Sequence, residues 1–340
     1  MAFLPAIFVA AIWLLGLGLP GLRLPGLGLL DAQGDERASD STESGGAVKS
    51  GGAVKSGGAV KSRDAARRGG SVRRKPTALD RNTGRSIERA LQFLARRQNN
   101  DGSWSDRVGR KVHMTYRGTV VPHVGVTGLA GIAFLSHGAL PGAGSSGYVD
   151  KNGERVYYCD VIEKALEFVM KQVSEDNGFI TAHGSRMYSH AFATLFLAEA
   201  YGVGVYRDSK GVKRSLKRAI RLIVNAQTQR GGWRYRPGAQ DEDMSITVCQ
   251  VIALRAARNA GVEVPRQTID RAVNYVKRSF VDGVGAFTYQ LGLEYRGVTS
   301  RWTPALTAAG VTTLYGAGEY DAYQIRDGLR FIWDKRPSRF

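Results

Sequence analysis

The sequence predicts an all-α domain of helical hairpins arranged in two concentric layers, about four and a half hairpins in all. Three observations carry this. One helix signature recurs at a fixed period, each time ending in a glycine turn and an aromatic residue. Between the recurrences lie second helices of a different composition. Glycine makes up 43 of the 340 residues, about twice its usual share, with no Gly-X-Y period, which places it in turns and close helix contacts.

The first signature is Ala90-Leu91-Gln92-Phe93-Leu94, followed by Gly102-Ser103-Trp104. Ala165-Leu166-Glu167-Phe168-Val169 leads to Asn177-Gly178-Phe179, and Ala219-Ile220-Arg221-Leu222-Ile223 to Gly231-Gly232-Trp233. Ala272-Val273-Asn274-Tyr275-Val276 leads to Gly285-Ala286-Phe287. From alanine to aromatic the distance is 14, 14, 14 and 15 residues. A fifth start, Gly328-Leu329-Arg330-Phe331-Ile332, lies too near Phe340 for its turn to follow. These helices are amphipathic. In the third, Lys210, Lys213, Arg214, Lys217, Arg218 and Arg221 recur every three or four residues and mark a solvated outer face.

The second helices are expected at 126–137, 187–201, 244–260 and 304–315. They are rich in Ala, Gly, Thr and Leu and poor in charge, and a helix that is apolar all round is buried. Alternating half-exposed and buried helices imply an outer ring around an inner one. Gly128, Gly131, Ala193 and Gly310 would let the inner helices approach closely.

The ends of the chain read differently. Residues 1–34 are an apolar signal or anchor: 2–22 is almost wholly apolar, and Ala32-Gln33-Gly34 offers a small-residue cleavage site. This predicts an exported, periplasmic or membrane-anchored protein, with any membrane association through residues 1–30. Residues 35–83 are a basic, Gly-rich linker in which Gly-Gly-Ala-Val-Lys-Ser is written three times, and 63–75 then carries six basic residues and one Asp. No aromatic residues interleave with those charges, which argues against a nucleic-acid partner. The repeat domain spans 84–334, and 335–340 is a tail. Formal net charge is +18, and the first eighty residues hold only 11 basic and 7 acidic side chains, so the domain is itself basic and suits an anionic partner. Two cysteines exclude a disulfide framework, and 43% hydrophobic residues exclude global disorder.

The runs from Gln98 to Trp104 and from Gln227 to Trp233 resemble the QW repeats of squalene cyclases and related prenyltransferases. The stretch from Gly231-Gly232-Trp233 to Asp243-Met244-Ser245-Ile246-Thr247 is similar to bacterial squalene-cyclase-type repeat proteins. The resemblance covers 84–334 and implies an α/α toroid of the terpenoid-cyclase-like superfamily. It is incomplete here, because a full ring of that family holds more helix pairs than this chain supplies. It also implies that Gln98, Trp104, Gln227 and Trp233 tie neighbouring outer helices together, the aromatic beneath its own helix and the Gln amide capping a neighbouring end. Such motifs speak to fold rather than activity.

Polar residues gather where the inner helices begin: His113, Tyr116 and His123; Tyr188 and His190; Asp241, Glu242, Asp243 and Ser245; Arg301 and Trp302. Asp241-Glu242-Asp243-Met244 resembles the DxDD acid motif of squalene–hopene cyclases, with Met244 in place of the last Asp. The resemblance makes Asp243 the candidate acid that would protonate an isoprenoid double bond. From its position alone, Asp243 reads first as a good N-cap for a helix starting at Met244, and a cap and an acid are not exclusive. The zinc site of prenyltransferases includes Asp-x-Cys, followed by a Gln; Asp243-Met244-Ser245 and Gln250 keep that register, but Ser245 replaces the thiolate and no His stands near Trp302 to supply the third ligand, so no metal and no cofactor are expected. Arg234 and Arg236 suit a diphosphate. Ser189 or Ser245 with His190 and Asp243 could be assembled into a hydrolytic triad, but no nucleophile elbow accompanies them. Two readings remain. One is a non-catalytic scaffold that binds protein or envelope components. The other is a cyclase or transferase acting on an isoprenoid or other lipid in an apolar cavity. Whether the chain is an enzyme is left open by the residues.

Overall fold

The computed structural model describes residues 78–112, 115–140, 146–204, 206, 208–291 and 301–335. The expected signal or anchor segment, the Gly-Gly-Ala-Val-Lys-Ser repeats, His113, the side chain of Tyr116 and the tail from 336 onward lie outside the described residues. Nine helices are found among those described: α1 (Ala78–Arg96), α2 (Val124–Ser136), α3 (Tyr158–Lys171), α4 (Met187–Val203), α5 (Ser209–Asn225), α6 (Met244–Asn259), α7 (Arg266–Arg278), α8 (Pro304–Ala317) and α9 (Tyr323–Asp334). The four inner helices fall within two residues of their expected bounds. Helix α1 starts at Ala78, inside the stretch expected to be linker.

The molecule is an incomplete α/α toroid. Helices α2, α4, α6 and α8 form the inner row, each in contact with the next. The odd-numbered helices lie outside. In α5, Val212, Leu216, Ala219, Ile220 and Ile223 are buried, whereas Lys210, Lys213, Arg214, Lys217 and Arg221 are exposed. Arg218 departs from that solvated face and donates to the carbonyl of Glu175 in the preceding turn at 2.6 Å. The close approach of α2 to α4 depends on glycine: a Cβ at Gly128 would lie 2.8 Å from the Phe192 carbonyl oxygen.

Three small antiparallel hairpins were not foreseen: β1 (Ser105–Val112) with β2 (Thr115–Pro122), β3 (Gly147–Val149) with β4 (Arg155–Tyr157), and β5 (Phe280–Val281) with β6 (Ala286–Phe287). The first occupies an insertion between Trp104 and α2. Val108, Val112, Val120 and Val121 give it the β-branched character that strands favour, and it lies outside the repeat on which the all-α expectation rested.

The repeat tryptophans fasten each turn to its own outer helix, and the glutamines act as straps between units. Trp104 donates its indole N–H to the Leu94 carbonyl at 2.9 Å, and Trp233 to Ile223 at 2.7 Å, each beneath its own outer helix. Gln98 Nε2 donates to the carbonyls of Gly102 and, at 2.8 Å, Val161 in the first turn of α3. Gln227 Nε2 donates likewise to Gly231 and, at 2.9 Å, to Thr268 in the first turn of α7. The expected Gln cap is therefore corrected. The amide N–H groups reach carbonyls inside the next helix, and the Gln227 carbonyl oxygen caps no free N–H among the described residues.

Each signature turn holds a glycine at positive φ, and Gly231 (φ 97°) lies against the Arg271 carbonyl of the next outer helix. Gly231→Ala is expected to cost the left-handed penalty of about 1–2 kcal/mol plus a backbone collision. Gly238 has φ 78° and open space around it, so Gly238→Ala carries the penalty without the collision. Thermal unfolding of the two variants should rank Gly231→Ala clearly lower; equal melting temperatures would mean the turn does not fix the distance between outer helices.

Candidate functional site

The beginnings of the inner helices are held together by backbone bonds between units. Met187, the first residue of α4, donates its N–H to the Tyr235 carbonyl at 3.1 Å, and Met244, the first of α6, to Tyr289 at 2.9 Å. Asp243 N–H pairs with the Trp233 carbonyl at 3.0 Å. The segments that follow the repeat aromatics are thereby laid across the helix ends.

Asp243 is the centre of the resulting cluster and is fully buried. Its Oδ1 accepts from the Ile246 N–H at 2.9 Å, which makes it the N-cap of α6, and from Ser245 Oγ at 2.6 Å. Its Oδ2 accepts from Arg234 Nη1 at 2.8 Å and from Tyr289 Oη at 3.2 Å. Two relays converge on it. Tyr188 donates to Ser245 at 2.5 Å, and Tyr235 to Tyr289 at 2.5 Å. Arg234 also reaches Asp241 at 3.2 Å, and its guanidinium stacks 4.6 Å above the Tyr235 ring. Arg301 stacks on Tyr289 at 4.7 Å. Burial pushes the phenols of Tyr188 and Tyr289 well above their ordinary range, so both remain donors. Burial, then the Asp243 charge, raises the Cys249 thiol to about 12.

Of the residues singled out in the sequence, Asp243, Ser245, Tyr188 and Arg234 meet, with Asp241 and Arg301 joined to them at the edge. Arg236 and Trp302 are exposed beside the cluster. Tyr235 and Tyr289 were missed, although a signal exists: each stands two residues after its repeat aromatic, Trp233 and Phe287. Glu242 turns inward, only 1% exposed, and is held by Thr228 and Arg230. His123 N-caps α2, with its pKa lowered by burial against the opposing charge of Asp106.

His190 does not stand at the mouth. It lies one turn inside α4, fully buried, and its Nδ1 accepts from the Ile180 N–H at 3.0 Å while Nε2 lies 3.2 Å from the Ala219 carbonyl. In the sister helices Thr127, Thr247 and Thr307 occupy this position and accept the same kind of turn N–H. With both ring nitrogens engaged and Asp243 bonded elsewhere, the conceivable Ser–His–Asp triad is not assembled. Among the described residues no group of three His, Cys, Asp or Glu could hold a metal ion.

Burial lowers the His190 pKa from its usual 6.5 to about 3, with the Ala219 carbonyl opposing the shift. The unfolded chain then binds the extra proton, so the His190 contribution is complete above pH 6.5 and is lost as pH falls toward 3, at up to about 1.4 kcal/mol per pH unit. Urea unfolding between pH 7 and 5 should show this slope, and His190→Thr, which copies the sister helices, should flatten it. An unchanged slope in the variant would remove His190 as its source.

No family model matches this chain, and no curated protein matches it. Structural comparison finds an inactive variant of the α-1,6-mannanase GH76A of Salegentibacter sp. HEL1_6 in complex with α-1,6-mannotriose, at TM-score 0.46 and 8% identity, covering 72% of this chain and 68% of that one. The type II terpene cyclase MstE from Scytonema is found at TM-score 0.35 and 15% identity, covering 76% and 80%. A wild-type glycosidase is found at 0.39 and 12%, covering 78% and 86%. Likeness this distant assigns no activity to this chain. No helix among the described residues is long and apolar enough to cross a membrane.

Proposed function

We propose that the domain is a non-catalytic binding scaffold, exported or held at a membrane by its apolar N-terminal segment, that presents the mouth around Asp243 to a protein or envelope partner. One observation carries the reading: both Asp243 oxygens are occupied by four donors in all. A general acid needs a proton to give and a free path to substrate. A carboxylate ringed by a guanidinium, two hydroxyls and a helix N–H serves instead as an acceptor that locks two units together. Around it stand Tyr188, Tyr235, Tyr289, Arg234, Arg301 and Trp302, and Tyr, Trp and Arg dominate the energetic centres of protein interfaces.

The alternative, an isoprenoid or other lipid in an apolar cavity, draws on the partly exposed stripe of α4. Tyr188, Phe192 and Glu199 share one face there, and burial raises the Glu199 carboxyl pKa. The deciding experiment is mass spectrometry of lipids extracted from the purified full chain, together with turnover assays on isoprenoid substrates. The scaffold reading expects neither bound lipid nor turnover. It also expects Arg301→Ala with Trp302→Ala to abolish photo-cross-linking to envelope proteins from a probe placed at Arg236. A co-purifying isoprenoid, or turnover lost in Asp243→Asn, would replace it with the cyclase reading.

A further inference from the structure

The turn closing the third hairpin differs in charge from its sisters. Asp101 precedes Gly102, Glu175 and Asp176 precede Gly178, and Asp282 precedes Gly285, whereas Thr228, Gln229 and Arg230 precede Gly231. The facing outer helix changes in the same sense. Five residues beyond the signature alanine stand Ala95, Met170 and Val224 in the first three units, but Lys277 in α7. Repetition supplies an internal control, because a purely structural demand of the hairpin would act on all four units alike.

These departures meet in space. Arg230, Arg271, Lys277 and Arg278, with Gln229 and Asn274, line an open groove of about 460 Å³ between the turn and α7. That is room for a small-molecule ligand. The guanidiniums are anchored by backbone carbonyls: Arg271 donates to Thr228 O, and Arg278 to Arg230 O at 2.6 Å and Asn274 O at 3.3 Å. A carbonyl fixes a guanidinium in place without cancelling its charge. The sister turn shows the contrast. There Arg218 makes the same carbonyl bond to Glu175, but the Glu175 carboxylate lies 3.8 Å from it, and Thr228 occupies that position in the basic turn. Among the described residues two acids oppose the four cations: Glu242, buried and 3.4 Å from Arg230, and Glu319, 2.6 Å from Lys277. Positive charge is left over, and planar guanidinium forks match phosphate oxygens in geometry as well as sign.

We infer that this outer groove is a binding site for a phosphate oxyanion, either free or carried by a lipid headgroup. The site lies on the outer ring and does not depend on the scaffold reading of the mouth. The test is calorimetric titration of the full chain with sodium pyrophosphate at low ionic strength, beside sedimentation with phosphatidylcholine vesicles with and without phosphatidate. Pyrophosphate should bind with a stoichiometry of one. Arg230→Gln combined with Lys277→Met, the residue of the second unit, should weaken it at least about tenfold, the loss of one or more charge-assisted contacts. Lys213→Gln with Arg214→Gln, on the exposed face of α5, should change it less than about twofold. Circular dichroism and thermal melts establish that both pairs fold. Vesicle retention that requires phosphatidate and is lost in the groove variant assigns the oxyanion to a lipid; pyrophosphate binding without retention assigns it to a soluble compound. Equal affinity of the groove variant and the unaltered chain, an equal loss in the α5 variant, or no pyrophosphate binding overturns the proposal.

Discussion

Asp243→Ala is expected to lower the unfolding free energy by about 3 kcal/mol, the lower end of what removing one partner of a buried ion pair costs. The change removes the N-cap of α6 and strands Arg234, Ser245 and Tyr289 as donors facing a cavity. Arg234 keeps Asp241 and is 21% exposed, which spares it the full penalty. Asp243→Asn is the sharper probe. Asn caps helices as well as Asp does, so a residue that only capped would tolerate the change. Here both oxygens face donors, and an amide must turn its own N–H toward one of them, at a cost of about 1–3 kcal/mol for the unsatisfied group. Urea midpoints at neutral pH check both. An Asn variant within about 0.3 kcal/mol of the parent would show that the cap alone matters and that the two tyrosine relays contribute nothing.

Trp233→Ala should cost about 3–5 kcal/mol, since Trp233 heads the fully buried large side chains and its removal leaves a void that neighbouring helices cannot close. Trp233→Phe keeps most of the ring but strands the Ile223 carbonyl, a loss of about 1 kcal/mol or somewhat more. Trp104→Ala removes a comparable side chain at the end of the array. Of the described side chains of α1 only Leu91 is buried, so this helix is weakly held. In a repeat array such an end opens by itself. Hydrogen exchange should therefore show α1 losing protection in Trp104→Ala while α6 keeps it, whereas Trp233→Ala should lower protection in α5, α6 and α7 together. Uniform loss of protection in both variants would mean that the array unfolds as one unit.

The hairpins were legible because their determinants are local. The alanine-to-aromatic period, the positive-φ glycines and the apolar inner helices each act within one unit, and the expected inner helices fall within two residues of those found. The cap role of Asp243 was legible for the same reason, since an N-cap bonds only three residues ahead. What failed concerned residues whose duties lie in another unit. His190 reads like a mouth residue because it stands near a helix start; its partners, Ile180 and Ala219, come from its own turn and from the next outer helix. Gln98 and Gln227 read as caps, and act as straps across 63 and 41 residues of sequence.

The sequence by itself determined that this chain builds alternating outer and inner helices, where the inner ones begin to within two residues, and that Asp243 would cap α6. Backbone propensity and short-range hydrogen bonds decide such matters, and both are written in neighbouring residues. Only the tertiary structure decided what surrounds the Asp243 carboxylate. Tyr289 reaches it from 46 residues away because the Met244 N–H to Tyr289 carbonyl bond lays the segment after Phe287 across the start of α6. It decided likewise that Arg230 and Lys277, 47 positions apart in sequence, would line one groove. Convergence of this kind depends on how one unit is rotated against the next. That rotation is set by the sum of many interhelical contacts, which no single spacing in the chain encodes.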